Sequence, residues 1–153
     1  MIIMFSIFSS MQSICVFDLD NTLLTDRCVV PRQTWHKLRQ LQQADWILGV
    51  VSNNSLAPLV AASVGLASYI ALTSILVQTS TEETRPALLR RWLDTICPHV
   101  ESVPRLVHFF DDRCNQVDAV CAATWPSEWT VKAHHVQDVY TLHRVIAREV
   151  FSK

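Results

Sequence analysis

The stretch Ile14-Cys15-Val16-Phe17-Asp18-Leu19-Asp20-Asn21-Thr22-Leu23-Leu24 decides the fold. Four apolar residues run without alternation into an Asp-x-Asp-x-Thr loop. A run of that kind reads as a strand buried on both faces, in a parallel sheet under helices. Asp18 and Asp20 emerge where such a strand must end. Ligands of open α/β sheets collect at the carboxyl ends of their strands. The Asp18 side chain and the Asp20 carbonyl can come round one hard cation there, and Mg²⁺ takes oxygen donors of this type. The same residues also suit a plain Asp-rich turn, so the remaining segments have to arbitrate.

Further along, Pro31 opens a helix to about Gln43, with Trp35, Leu38 and Leu41 as an apolar stripe. Trp46 to Val51 is a second buried run and ends at Ser52-Asn53-Asn54-Ser55, where Asn54 or Ser55 can cap a helix over Leu56 to Val64. A third strand is expected around Tyr69 to Leu72. Pro86 begins a helix to about Thr95. Leu106 to Phe110 is a third long apolar run and delivers Asp111-Asp112. A short helix from Asn115 to Ala122, a strand near Trp129 to Ala133 and a last helix from Gln137 to Phe151 complete the pattern. Alternating strands and helices make a three-layer α/β/α sandwich about a parallel sheet, Rossmann-like, without a large cap domain.

Composition narrows the classes. The chain has 153 residues, half of them apolar, which suits one core and a single domain over 1–153, with 1–12 as an N-terminal extension. A net charge of −1 gives no field that would draw nucleic acid or a membrane surface. Five cysteines without a Cys-x-x-Cys pair argue against a disulfide framework or zinc knuckle, and point to a reducing, cytoplasmic setting. Met1 to Ser13 has no basic residue ahead of its apolar part, as a secretory signal would. The uncharged stretch from Leu56 to Val77 is long enough to span a bilayer. Pro58, Gly65 and its many small residues divide it instead into a helix, a turn and a strand, with an apolar patch that can meet a protein partner or a second copy.

Three buried runs thus end in Asp18, Ser52 and Asp111, and in a parallel sheet their carboxyl ends share one edge. Ser52 is either a phosphate donor or a helix cap. Asp111-Asp112 is either a metal site or a cap. Arg85, Arg90 and Arg91 are alternatives for one basic residue, Arg85 being favoured by the helix start at Pro86. His134 and His135 are adjacent and point to opposite strand faces, so they do not share an ion. Trp125 and Trp129, flanking Pro126, read as lid or core.

Asp18-x-Asp20-x-Thr22 after its strand resembles the first motif of the haloacid dehalogenase-like superfamily. Val50-Val51-Ser52-Asn53 resembles the second, Arg85-Pro86 the basic third, where lysine is commoner, and Phe109-Phe110-Asp111-Asp112 the fourth. The segment from Phe109 to Val120 is most similar to the magnesium-dependent phosphatase family, although Asn21-Thr22-Leu23-Leu24 lacks that family's aromatic residues. The resemblance implies a Mg²⁺-dependent, capless phosphatase. Asp18 is then the nucleophile and Asp20 the general acid and base. The metal falls to Asp18, the Asp20 carbonyl, Asp111 and Asp112. Phosphate contacts fall to Ser52, Asn53 and Arg85, with backbone N–H groups of residues 19 to 21, thus Leu19 and Asn21, and the helix start after Ser55. Neither interval between motifs leaves the roughly 40 residues a separate cap needs. An open site therefore points to a phosphorylated protein or other large substrate. The other function class is a catalytically silent domain that binds partners.

Overall fold

A computed structural model describes residues 11–98 and 103–152. Five parallel strands, β1 (Gln12–Asp18), β2 (Ile47–Ser52), β3 (Ile75–Val77), β4 (Arg105–Asp111) and β5 (Trp129–His135), lie in the order β3-β2-β1-β4-β5. Helices α1 (Arg32–Gln43), α2 (Ala57–Ser63), α3 (Arg85–Ile96), α4 (Cys114–Ala122) and α5 (Leu142–Ile146) cover the faces, and α5 continues into a π-helical turn over Ala147–Phe151.

The unalternated run at β1 is explained by two cores. Cys15 and Phe17 join Val50 and Phe110 under α1, α2 and α5, while Ile14 and Val16 join Val51, Val107 and Phe109 under α3 and α4. Each β1 side chain from Ile14 to Phe17 is fully buried. Burial of an apolar side chain of this size contributes about 1.5–3 kcal/mol, so both faces of β1 hold the layers together. The chain builds outward from β1 to β3 and then returns to the other side of β1 for β4. That reversal leaves a crevice at the carboxyl ends of β1 and β4.

Two expectations are corrected. Tyr69 to Leu72 is not a strand. The Tyr69 and Ile70 N–H groups bond back to Leu66 O, and Ser74 N–H to Ala71 O, which commits this backbone to 3-10 turns. Ladder pairing begins only at Ile75, opposite Val50. The last helix starts at Leu142 rather than Gln137. Tyr140 N–H donates to Asp138 Oδ1 and Thr141 Oγ1 donates to Asp138 O, closing a turn ahead of the helix. Of the lid and core readings of Trp129 the core one holds: it is buried in the second core and opens β5 at the sheet end away from Asp111, where Trp125 stacks on it at 6.2 Å.

Smaller shifts concern the first strand and the uncharged stretch. Gln12 and Ser13, placed at or beside the N-terminal extension, belong to β1 and pair with Arg105 and Leu106. Of that extension, residues 1–10 lie outside the described residues. Among the described residues no helix is long and apolar enough to cross a membrane.

Candidate active site

β1 and β4 end side by side, Phe17 opposite Phe110, and this register delivers Asp18 and Asp111 to one edge. Asp111 is fully buried and Asp18 is 7% exposed. Asp111 Oδ1 accepts the Arg113 N–H at 3.0 Å in the turn just ahead of α4, whose N-cap position is Arg113 and carries no side-chain cap bond, so neither aspartate caps this helix. The loop after β1 is tight. Leu19 O accepts the N–H groups of Leu23 and Leu24, and Asn21 takes a left-handed φ of 63°, a conformation Asn tolerates better than most residues. The Asn21 N–H donates to Leu24 O at 2.8 Å. This corrects its assignment as an anion donor, because that proton is already committed.

Arg85 reaches across from the start of α3. Its Nη2 is 3.6 Å from Asp18 Oδ1 and its Nε 3.4 Å from Asp111 Oδ2. Thr84 fixes the helix start by accepting the Ala87 N–H on its side chain, with Pro86 in the first turn. Arg90 instead pairs with Asp94 at 3.2 Å, and Arg91 with Glu83 at 2.9 Å. Of the three arginines offered by the sequence, the structure brings Arg85 to the carboxylates.

Burial pushes the Asp18 carboxyl well above the usual carboxylate range, the Asp111 charge adds to this, and Arg85 opposes it. Burial likewise raises Asp111, against the Arg113 N–H and the Arg85 charge. Negative charge is thus crowded here beyond what one guanidinium offsets. Oxygens of Asp18, Asp111 and Asp112 lie within 4.8 Å of one another. Asp111 Oδ2 is buried and accepts no hydrogen bond. An all-oxygen, carboxylate-rich set of this kind fits a hard divalent cation. The Asp20 carboxylate is not part of this cluster. Its residue is exposed, and its backbone bridges to Leu24.

Ser52 is buried at the end of β2, where its Oγ accepts the Asn54 N–H at 3.0 Å. That bond uses a lone pair and leaves the hydroxyl proton to donate. Asn53 is exposed and lines a cavity of about 360 Å³ together with Arg85, Gln78 and Asn115. A second cavity of about 390 Å³ is lined by Asn21, Asp112, Thr25, Asp26 and Tyr140. Leu24 to Val30, the later part of the connection between β1 and α1, includes Thr25 and Asp26 of that lining.

Two contributors had no role in the sequence reading. Thr22 is fully buried, with Oγ1 at 3.3 Å from Asp18 Oδ2 and 3.4 Å from Asp112 Oδ1. Its place in the Asp-x-Asp-x-Thr pattern was the available signal. His135 Nε2 lies 3.0 Å from Asp112 O, a contact that only strand register reveals. His134, on the opposite face, pairs with His108 at 2.7 Å.

No family model and no curated protein matches the chain. Among solved structures it is similar to an uncharacterized protein from Listeria monocytogenes serotype 4b, with a TM-score of 0.50, 12% identity, and 89% of this chain and 97% of that one covered. It also matches D,D-heptose 1.7-bisphosphate phosphatase from B. bronchiseptica, complexed with magnesium and phosphate, at TM-score 0.43, 13% identity, and 90% and 99% coverage. MT0777 matches at TM-score 0.45, 13% identity, and 94% and 99% coverage. The Listeria protein shares the fold. What the site can do has to come from its own residues.

Proposed function

We propose that this chain is a Mg²⁺-dependent phosphomonoesterase that works through an aspartyl-phosphate. The observation that carries this reading is the convergence of Asp18, Asp111, Asp112 and Arg85 at the carboxyl edge of a parallel sheet. The motif resemblance to haloacid dehalogenase-like phosphatases supports it. An Asp18 carboxylate oxygen attacks phosphorus, and the bond from phosphorus to the ester oxygen breaks. Asp20 gives its proton to the departing oxygen. It then takes one from the water that hydrolyses the acyl phosphate, returning Asp18 to its free form. Solvent exposure of Asp20 suits this exchange of protons.

Thr22 holds the Asp18 carboxylate in place through its hydroxyl. Arg85 and the Ser52 hydroxyl offset charge on the phosphoryl oxygens. Asp18, Asp111 and Asp112, with the Asp20 carbonyl, hold the cation. When bound, Mg²⁺ supplies the positive charge that shields the anionic phosphate from an anionic nucleophile.

Among the described residues the segments between motifs carry no inserted unit over this edge, so we assign a phosphorylated protein or other large substrate. Leu56 and Leu59, 57% and 67% exposed, favour a second reading in which this segment docks a partner. Hydrolysis of an aryl phosphate with Mg²⁺, and its loss in EDTA, tests the enzyme reading. A Mg²⁺-dependent rise in Tm gives a second readout, since a ligand bound only by the folded state stabilises it. Hydrolysis indifferent to EDTA, or no hydrolysis with Mg²⁺ over the full pH range, overturns the proposal.

A further inference from the structure

Beyond the carboxylates lies a third cavity, of about 350 Å³, and its charge is of the opposite sign. It is lined by His135, Gln137, Thr141, Arg144 and Arg148. Gln137 also lines the acidic cavity that contains Asp112, so the two hollows are neighbours on one path from the catalytic edge. β5 provides the link. His135 stands in register with Asp111 on the adjacent strand, and its Nε2 contacts Asp112 O at 3.0 Å. Strand spacing is about 4.8 Å, so the basic cavity opens one strand away from Asp111 and two away from Asp18.

The arginines there have little else to do. Arg144 has no side-chain partner among the described residues. Arg148 meets Glu149, its neighbour in sequence, in a pair whose members are 66% and 35% exposed. A pair that open to water contributes little. Arg144 in α5 and Arg148 in the π-helical turn line the same cavity, and two guanidinium groups offer the planar forks that bind phosphate or carboxylate. The intervening cavity carries Asp26 and Asp138, which repel an anion. A second negative group of a substrate is therefore held in the basic cavity and not before it.

Resting on the phosphatase reading, we propose that this cavity is an anion subsite of the same active site. It takes a phosphate or carboxylate carried by the phosphorylated substrate, separated from the ester by a neutral spacer. Two strand spacings, from β1 across β4 to β5, plus a helical turn put the separation on the order of 15 Å, which an extended peptide covers in about four to five residues.

Peptides bearing a difluoromethylphosphonate in place of the phosphoester, with glutamate, a second difluoromethylphosphonate or glutamine four or five residues to either side, test this by calorimetry in Mg²⁺. The glutamate and doubly phosphonate-bearing peptides are expected to bind about tenfold tighter than the glutamine peptide at low salt. Comparing those two shows whether carboxylate or phosphate is preferred. In the Arg144→Ala, Arg148→Ala double variant the ratio should fall below about twofold. Equal binding of all three peptides by the wild type, or a ratio that survives in the variant, overturns the subsite. Because these ligands are not hydrolysed, that outcome is separate from the aryl phosphate assay, which alone decides the phosphatase reading.

Discussion

Nη2 of Arg85 lies 3.6 Å from Oδ1 of Asp18, and the two side chains are only 2% and 10% exposed. Removing one partner of a buried pair leaves a buried charge uncompensated, which costs about 3–5 kcal/mol. Arg85→Ala should therefore lower both stability and rate. Loss of one charge-stabilising donor alone costs about 3–4 kcal/mol of barrier, or two to three orders of magnitude in kcat. Arg90→Ala and Arg91→Ala, whose partners are Asp94 and Glu83, should keep most of the rate. Steady-state assays of the three variants on one aryl phosphate give the ranking. A larger loss in Arg90→Ala or Arg91→Ala would reassign the basic residue.

The two carboxylates of the β1 loop should separate kinetically. Asp18→Asn is expected to remove turnover while circular dichroism stays native. Asp20→Asn should still form some phosphorylated Asp18 but release it slowly, so the phosphorylated protein accumulates and is visible by intact mass spectrometry. Activity in Asp18→Asn at even a tenth of wild type would exclude it as nucleophile. Wild-type behaviour of Asp20→Asn across the pH range would place the acid and base elsewhere.

How far the sequence speaks follows from the range of the forces involved. Asp18 and Asp111 were legible because each ends an unbroken apolar run, and strands buried on both faces lack alternation. Arg85 was separable from Arg90 and Arg91 through a local signal, the proline that marks a helix start. β3 was not legible. Three residues, Ile75–Val77, are too few for a period, and the 3-10 turns before them lie in an equally apolar stretch. The delayed start of the last helix depends on the Asp138 and Thr141 side chains competing for the backbone, which hydropathy does not register. Thr22 and His135 acquire their contacts through loop closure and strand register. No spacing in the chain reveals that both touch Asp112.

Glu83 gives a pH test away from the catalytic carboxylates. The Arg91 side chain, followed by the Thr79 N–H and hydroxyl, holds its carboxyl down at about 2, against the opposing effect of burial. Since the folded value is depressed, its contribution is complete above the unfolded range near 4.3 and is lost as pH falls toward 2. Glu83→Gln should thus destabilise the protein by about 1–2 kcal/mol near neutrality. The gap should narrow as acid is added. Urea midpoints of both proteins along a pH series measure it, and a gap independent of pH would rule out the ionic contribution.

Gly49 on β2 shows how tightly the second core is closed. A Cβ at this position would sit 2.0 Å from Trp92 Cζ2 and 2.3 Å from Cε2, so the indole lies directly against bare backbone. The ring is not free to retreat, because Nε1 donates to Ser74 O at 2.8 Å and the side chain is fully buried. Gly49→Ala must push the ring off that carbonyl or distort β2. Overpacking of this type costs about 1–3 kcal/mol, and at this chain length each kcal/mol lowers Tm by about 2–4 °C. Residues in contact do not contribute independently. In a Trp92→Leu background, where the clash is gone, Gly49→Ala should be nearly neutral. A double-mutant cycle on thermal unfolding reads this directly. Equal costs of Gly49→Ala with Trp92 and with Leu at that position would show that β2 itself, and not the indole, requires glycine.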